Sequence, residues 1–215
     1  MKQFTKDKVT LLHCDCMEYM KDIPDNYFSL AIVDPPYGIN RDGHNGVIAK
    51  KPEHNWKKYE FKGWDNERPP REYWKELFRV SKKQVVFGGN YFTEYLPPSM
   101  GWIVWDKGQR LTMSDGELIY TSEQKALRIY TINRCEAREE GMIHPTQKPI
   151  KIYKIILEKL TKKGDKILDT HLGSGSSAIA AHDYGCEFVG MEIDEEYFDS
   201  AVKRFDMETR QQKLF

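Results

Sequence analysis

The sequence predicts an α/β domain. Short apolar runs of strand length alternate with longer segments of helical spacing along most of the chain. One apolar run, Leu30 to Val33, stops at Asp34-Pro35-Pro36-Tyr37-Gly38. Another, residues 166–169, stops at Thr170-His171-Leu172-Gly173-Ser174-Gly175-Ser176-Ser177, and helical spacing follows. Strands that end in stiff or glycine-rich turns place those turns at the carboxyl edge of an open sheet, where ligands bind.

The chain has 215 residues, 40% of them hydrophobic, which suits a single domain with one core. Lys+Arg and Asp+Glu both number 33, so the formal charge is zero. Bulk positive charge therefore cannot drive nucleic-acid binding, although a local basic patch can. No run approaches the roughly 20 apolar residues of a membrane span. Residues 1–6 lack the apolar core of a secretion signal, so a cytoplasmic, nucleoid-associated protein is expected. Cysteines 14, 16, 135 and 186 complete no zinc pattern and read as free thiols, with no metal expected.

Taken in order, residues 8–15 read as a strand ending in Asp15, and 16–21 as a short helix. Turn chemistry at 23–27 leads into the 30–33 strand, so two strand ends present carboxylates, Asp15 and Asp34. On neighbouring parallel strands the two would line one crevice. Residues 39–63 lose periodicity and interleave cations with Trp56, Tyr59 and Phe61. So long a segment reads as a functional loop or a disordered one. Its mixture suits a nucleic-acid backbone and unstacked bases, with Arg41, Lys50, Lys51, Trp56, Lys57 and Lys58 as candidate contacts. The blander reading is a solvated excursion.

Residues 67–81 have helical spacing, and 84–88 and 101–105 are strands. Residues 117–122 and 126–131 read as a closing antiparallel pair. Residues 133–143 are irregular. His144-Pro145-Thr146-Gln147-Lys148-Pro149 then leads into an amphipathic helix, 150–160. The last strand, 187–193, carries Glu192 near its end.

The Asp34 turn holds a carboxylate, a prolyl carbonyl and a ring. Two acceptors beside a flat ring suit a planar amino group, such as the exocyclic amine of a base. At the second turn, glycines let backbone approach a ligand and the helix start offers free N–H groups. Nicotinamide dinucleotide domains use nearly the same layout. A carboxylate ahead of the glycines, Asp169, would repel a pyrophosphate but suits the ammonium of S-adenosylmethionine.

These three segments together resemble the DNA amino-methyltransferases, the N6-adenine and N4-cytosine enzymes of restriction–modification and phage type. Asp-Pro-Pro-Tyr first, His-Pro-Thr-Gln-Lys-Pro later and the glycine-rich loop last is the permuted order of that family's β class. The resemblance implies a single-domain, Rossmann-like S-adenosylmethionine-dependent methyltransferase fold, a mixed seven-stranded sheet with helices on both faces. It implies that Asp34 and the Pro35 carbonyl accept the target amino hydrogens, that Pro36 stiffens the turn, and that Tyr37 stacks on the extruded base. By the same resemblance Asp169 holds the methionine ammonium, and Gly173, Ser174, Gly175 and Ser176 cover the cofactor. Glu192 and Ile193 meet the ribose end, Asp15 and Cys16 the adenine. Thr146 and Lys148 flank the methionine end. His171 stands where the family usually has Phe, and reads as a packing substitute.

The implied activity is methyl transfer to adenine N6 in DNA after base flipping, because aspartate at position 34 is commoner in the adenine enzymes. N4-cytosine transfer is the alternative; an RNA substrate and an inactive cofactor-binding subunit are further ones. Residues 106–115, with Arg110, and 133–143 form small inserts where relatives carry target recognition. A homodimer is implied by resemblance alone.

Overall fold

A computed structural model describes residues 2–40, 62–109, 114–133 and 135–210. Among them, nine strands form one mixed sheet: β1 (Lys2–Lys6), β2 (Val9–His13), β3 (Leu30–Val33), β4 (Gln84–Phe87), β5 (Ile103–Asp106), β6 (Gly116–Thr121), β7 (Arg128–Thr131), β8 (Lys166–Asp169) and β9 (Glu187–Glu192). Their order is β1-β2-β9-β8-β3-β4-β6-β5-β7. The run β2-β9-β8-β3-β4 is parallel throughout, so all five carboxyl ends share one edge. β3 and β4 are buried at every position, as strands covered on both faces must be.

The helices divide between the faces. α4 (Ile150–Leu160), α5 (Ser176–Tyr184) and α6 (Glu195–Arg210) pack on one side, against Leu30, Ile32, Val85, Phe87 and Ile167. α1 (Cys16–Lys21) and α2 (Arg71–Val80) pack on the other, against Ala31, Val33, Val86 and Leu168. Adjacent strand residues thus enter opposite layers, the period-two signature. α2 buries Tyr73, Trp74, Leu77 and Val80, one stripe at helical spacing. It begins after Pro70, and α4 after Pro149, where proline costs a helix no hydrogen bond.

The chain leaves β3 for β4 on one side and leaves β8 for β9 on the other. Since β3 and β8 are neighbours, the strand order reverses between them. A crevice opens at such a reversal. Asp34 follows β3 and Asp169 ends β8, so both face it.

Four expectations are corrected. The sheet has nine strands rather than seven, because β1 adds an antiparallel edge and β7 a parallel one. The pair expected from 117–122 and 126–131 does not form. β6 is already flanked by β4 and β5, so β7 takes the free edge of β5, parallel to it. Asp15 and Asp34 are not on neighbouring strands: β9 and β8 lie between, a separation of roughly 14 Å at the usual strand spacing. Residues 133–143, expected to be irregular, contain α3 (Cys135–Glu139). No helix among the described residues is long and apolar enough to cross a membrane.

Candidate active site

The Asp34 turn is built on its neighbours. Buried Asp65 accepts from the backbone N–H groups of Tyr37 (2.7 Å) and Gly38 (2.9 Å), fixing the chain just beyond the two prolines. The Tyr37 ring stacks on Tyr91 at 4.7 Å and 12°, with Phe92 at its edge. It lies over Gly88, where a Cβ would come within 2.4 Å of the ring and where φ is +61°. Only glycine meets both demands. The Tyr37 hydroxyl donates to Asp34 Oδ1 (2.7 Å), and Lys148 Nζ donates to Asp34 Oδ2 (2.5 Å).

Lys148 joins the three sequence segments. Its ammonium sits on Asp34, while its backbone carbonyl accepts from Ser176 Oγ (2.9 Å) at the start of α5. Glu117 of β6 lies 3.7 Å from the same ammonium and also pairs with Lys107 (2.9 Å). Burial alone would lower the Lys148 pKa, but Asp34 and Glu117 together hold it above the ordinary lysine value. Burial pushes the Asp34 carboxyl up, and Lys148 opposes it.

Asp169 is buried, accepting from His171 N–H (3.0 Å) and Ser177 Oγ (2.6 Å). Burial raises its pKa to about 7 in spite of those two bonds, with Asp34 and Glu192 adding like charge. Glu192 accepts from the N–H groups of Gly173 (2.9 Å) and Asp194 (3.0 Å), which ties the end of β9 to the glycine turn. Gly173 and Gly175 adopt φ of +52° and +75°. Arg204, buried on α6, donates to the Ser174 carbonyl (3.0 Å), Ser176 Oγ (2.9 Å) and Glu140 (3.1 Å). Glu140 in turn accepts from the Ile150 N–H, so one guanidinium fastens the glycine turn to the start of α4.

His144 is buried between Trp64 (5.2 Å) and Tyr197 (4.4 Å). Burial, with Lys148 nearby, lowers its pKa to about 3, so it is neutral at physiological pH. Burial likewise brings His171 down to about 4. Its Nδ1 shares a hydrogen bond with Thr170 Oγ1 (2.9 Å), and its ring meets the edge of Tyr73. It is packed against Tyr73 and neutral.

The structure therefore brings together Asp34, Tyr37, Lys148, Asp169, Ser174, Ser176 and Glu192 through direct or one-step contacts. Pro35 and Pro36 continue that turn. Among the described residues, Thr146 meets His144 through its N–H and its hydroxyl. Lys148 lies against Asp34. Asp15 is exposed and caps α1 through Met17 N–H (2.7 Å). Cys16 follows it, its thiol raised to about 12 by burial. Ile193 is 67% exposed. Arg41, Lys50, Lys51, Trp56, Lys57, Lys58 and Arg110 lie outside the described residues. The returning end of their segment is anchored where Lys62 pairs with Asp194 (2.8 Å) and Glu196 (2.6 Å), beside Glu192.

Sequence reasoning missed Glu117, Asp65 and Arg204. Two signals were available. Arg204 falls in the stripe of Tyr197, Phe198, Ala201 and Phe205, and a cation in a buried stripe must have a partner. Glu117 shares a strand face with buried Ile119, two residues on.

Three carboxylates, Asp34, Asp169 and Glu192, stand at this edge, both nearby histidines are neutral, and the Lys148 ammonium is committed to Asp34. That chemistry fits a positively charged, hydrogen-bonding ligand and disfavours a pyrophosphate. Among the described residues no cluster of His, Cys, Asp or Glu is placed to hold a metal ion.

Residues 99–203 match the sequence profile of a family described as DNA methylase. The chain is 27% identical to the type II methyltransferase M.HinfI of Haemophilus influenzae, over 91% of this chain and 67% of that one. It is 23% identical to the type II methyltransferase M2.DpnII of Streptococcus pneumoniae, over 95% and 92%. Among solved structures, M1.HpyAVI in complex with SAM shares the fold with a TM-score of 0.60 at 21% identity, covering 91% of this chain and 99% of that one. The cytosine-N4-specific PvuII DNA methyltransferase does so with a TM-score of 0.65 at 14% identity, covering 96% and 92%.

Proposed function

We propose that the chain is a member of the DNA N6/N4 methyltransferase family and that it methylates N6 of adenine in DNA, using S-adenosylmethionine. The observation that supports this most directly is the place of Asp34. It stands at the strand reversal, one strand from Asp169 and linked through Lys148 to the glycine turn.

When bound, S-adenosylmethionine supplies a methyl group activated on a sulfonium. Asp169, with lone pairs left after its two hydrogen bonds, takes the ammonium of the methionine portion. Glu192 takes the ribose hydroxyls, and the positive-φ glycines leave room for the ligand beside the backbone. An amine conjugated to a base ring is a poor nucleophile. Asp34 and the Pro35 carbonyl accept its two hydrogens and draw it toward tetrahedral geometry, freeing the lone pair. The amine nitrogen would take the methyl group while the C–S bond pair stays with sulfur, and the Asp34 carboxylate would accept the N–H proton then released. Positioning and fixed charge supply the acceleration. Extruding a base costs a few kcal/mol, and stacking on Tyr37 returns roughly 1–3 kcal/mol.

Adenine is favoured by the aspartate, rather than serine, that heads the turn. Target reading is assigned to the turn after β5 and the segment after β7. Both leave the sheet at the Asp34 edge, and Gln109 of one donates to Asn133 of the other (3.0 Å). The test is incubation with labelled cofactor and unmethylated DNA, then digestion to nucleosides. N6-methyladenine is the expected product. N4-methylcytosine would refute the choice of base, and unmodified DNA the activity.

A further inference from the structure

We propose that Glu117 is a positioning residue for this reaction: by sharing the Lys148 ammonium it keeps Asp34 oriented without weakening it as an acceptor. The inference rests on the methyl-transfer reading above. Lys148 Nζ lies 2.5 Å from Asp34 and 3.7 Å from Glu117 Oε2. That Oε2 is buried with no partner within hydrogen-bond distance. The other carboxylate oxygen faces Lys107 at 2.9 Å. A carboxylate with one oxygen buried and left without a hydrogen bond is unfavourable for stability alone. Its neighbour at the active edge is the one cation that touches Asp34 among the described residues.

A simple Asp–Lys pair would make Asp34 a weak base, and acceptor strength falls with basicity. Glu117 draws on the same ammonium and returns negative potential to the site. Burial and Glu117 raise the Asp34 pKa, while Lys148 and Tyr37 lower it. Asp169 of β8 and Tyr153 of α4 also face this charge. Lys107 and His144 lie one step further out, on Glu117 and Lys148 respectively. When the amine loses its proton after the N–C bond forms, Asp34 is the base at hand, so its acceptor strength enters the rate.

The experiment is the pH profile of methyl transfer to unmethylated DNA by the full chain and its Glu117→Gln, Glu117→Asp and Lys148→Met variants. Cofactor affinity is measured by calorimetry and folding by circular dichroism. Removing Glu117's charge should lower turnover about tenfold, leave cofactor affinity within about twofold, and move the acid limb to lower pH. Glu117→Asp should restore the limb. Lys148→Met should move it the other way, to higher pH. An acid limb unmoved in folded, active Glu117→Gln would overturn the proposal while leaving the methyl-transfer reading intact. If Lys148→Met does not fold, the Glu117 variants decide alone. Wild-type protein that yields no methylated DNA would overturn both.

Discussion

Replacing Asp169 with Asn should make the protein more stable and less able to bind its cofactor. Asp169 is buried, and its pKa rises from the ordinary 3.8 to about 7, chiefly through burial. A carboxyl with a raised folded-state pKa stabilises the fold while protonated. That contribution is complete below about pH 4 and is lost as pH climbs through the folded value. A rise of about three units, at 1.36 kcal/mol each, amounts to about 4 kcal/mol lost by pH 8. Asn is neutral throughout and nearly isosteric. Its oxygen can accept from the His171 N–H, and its amide can meet Ser177 Oγ, which turns to accept. Urea unfolding of both proteins without cofactor, from about pH 4 to pH 8, tests the reasoning. The variant should gain steadily on the wild type up to about pH 7 and level off, while calorimetry shows weakened S-adenosylmethionine binding. Parallel stability curves, or an Asn protein less stable at pH 8, would refute the assigned ionisation.

Two other substitutions probe the Asp34 turn. Gly88→Ala places a Cβ within 2.4 Å of the Tyr37 ring; displacement of about 1 Å should lower turnover by about 10²-fold with an unchanged far-ultraviolet spectrum. Asp65→Ala strands the N–H groups of Tyr37 and Gly38. It should cost about 3 kcal/mol in urea unfolding, together with a loss of activity.

Legibility in the sequence followed how local each determinant was. The β8–turn–α5–β9 unit could be read residue by residue, because apolar runs, glycines and helical spacing lie within about thirty positions. The Asp34 turn was equally plain, since two prolines stop a strand wherever they occur. What failed was pairing. β7 looks like the natural partner of β6, and only the occupied edges of β6 send it to β5. β1, Lys-Gln-Phe-Thr-Lys, has no apolar run and exists because β2 offers it an edge. Asp15 and Asp34 share an edge as expected, yet nothing near either residue records the two strands that separate them. Lys148 shows the same limit at the site. Its motif was visible from sequence, but its contact with Asp34, 114 positions away, was not.

The reversed direction of β6 has a consequence for how such a protein can diversify. Because β6 runs against both β4 and β5, the chain between β5 and β6 leaves the sheet at the edge that holds Asp34. Chain added there leaves both flanking ladders in register, and each doubling of its length costs only about 0.6 kcal/mol in closure entropy. Lys107 and Glu117 mark the limits of what is exchangeable, since their pairing reaches the Lys148 ammonium. Between those posts, a new reading head could be fitted to an old reaction centre without retuning it.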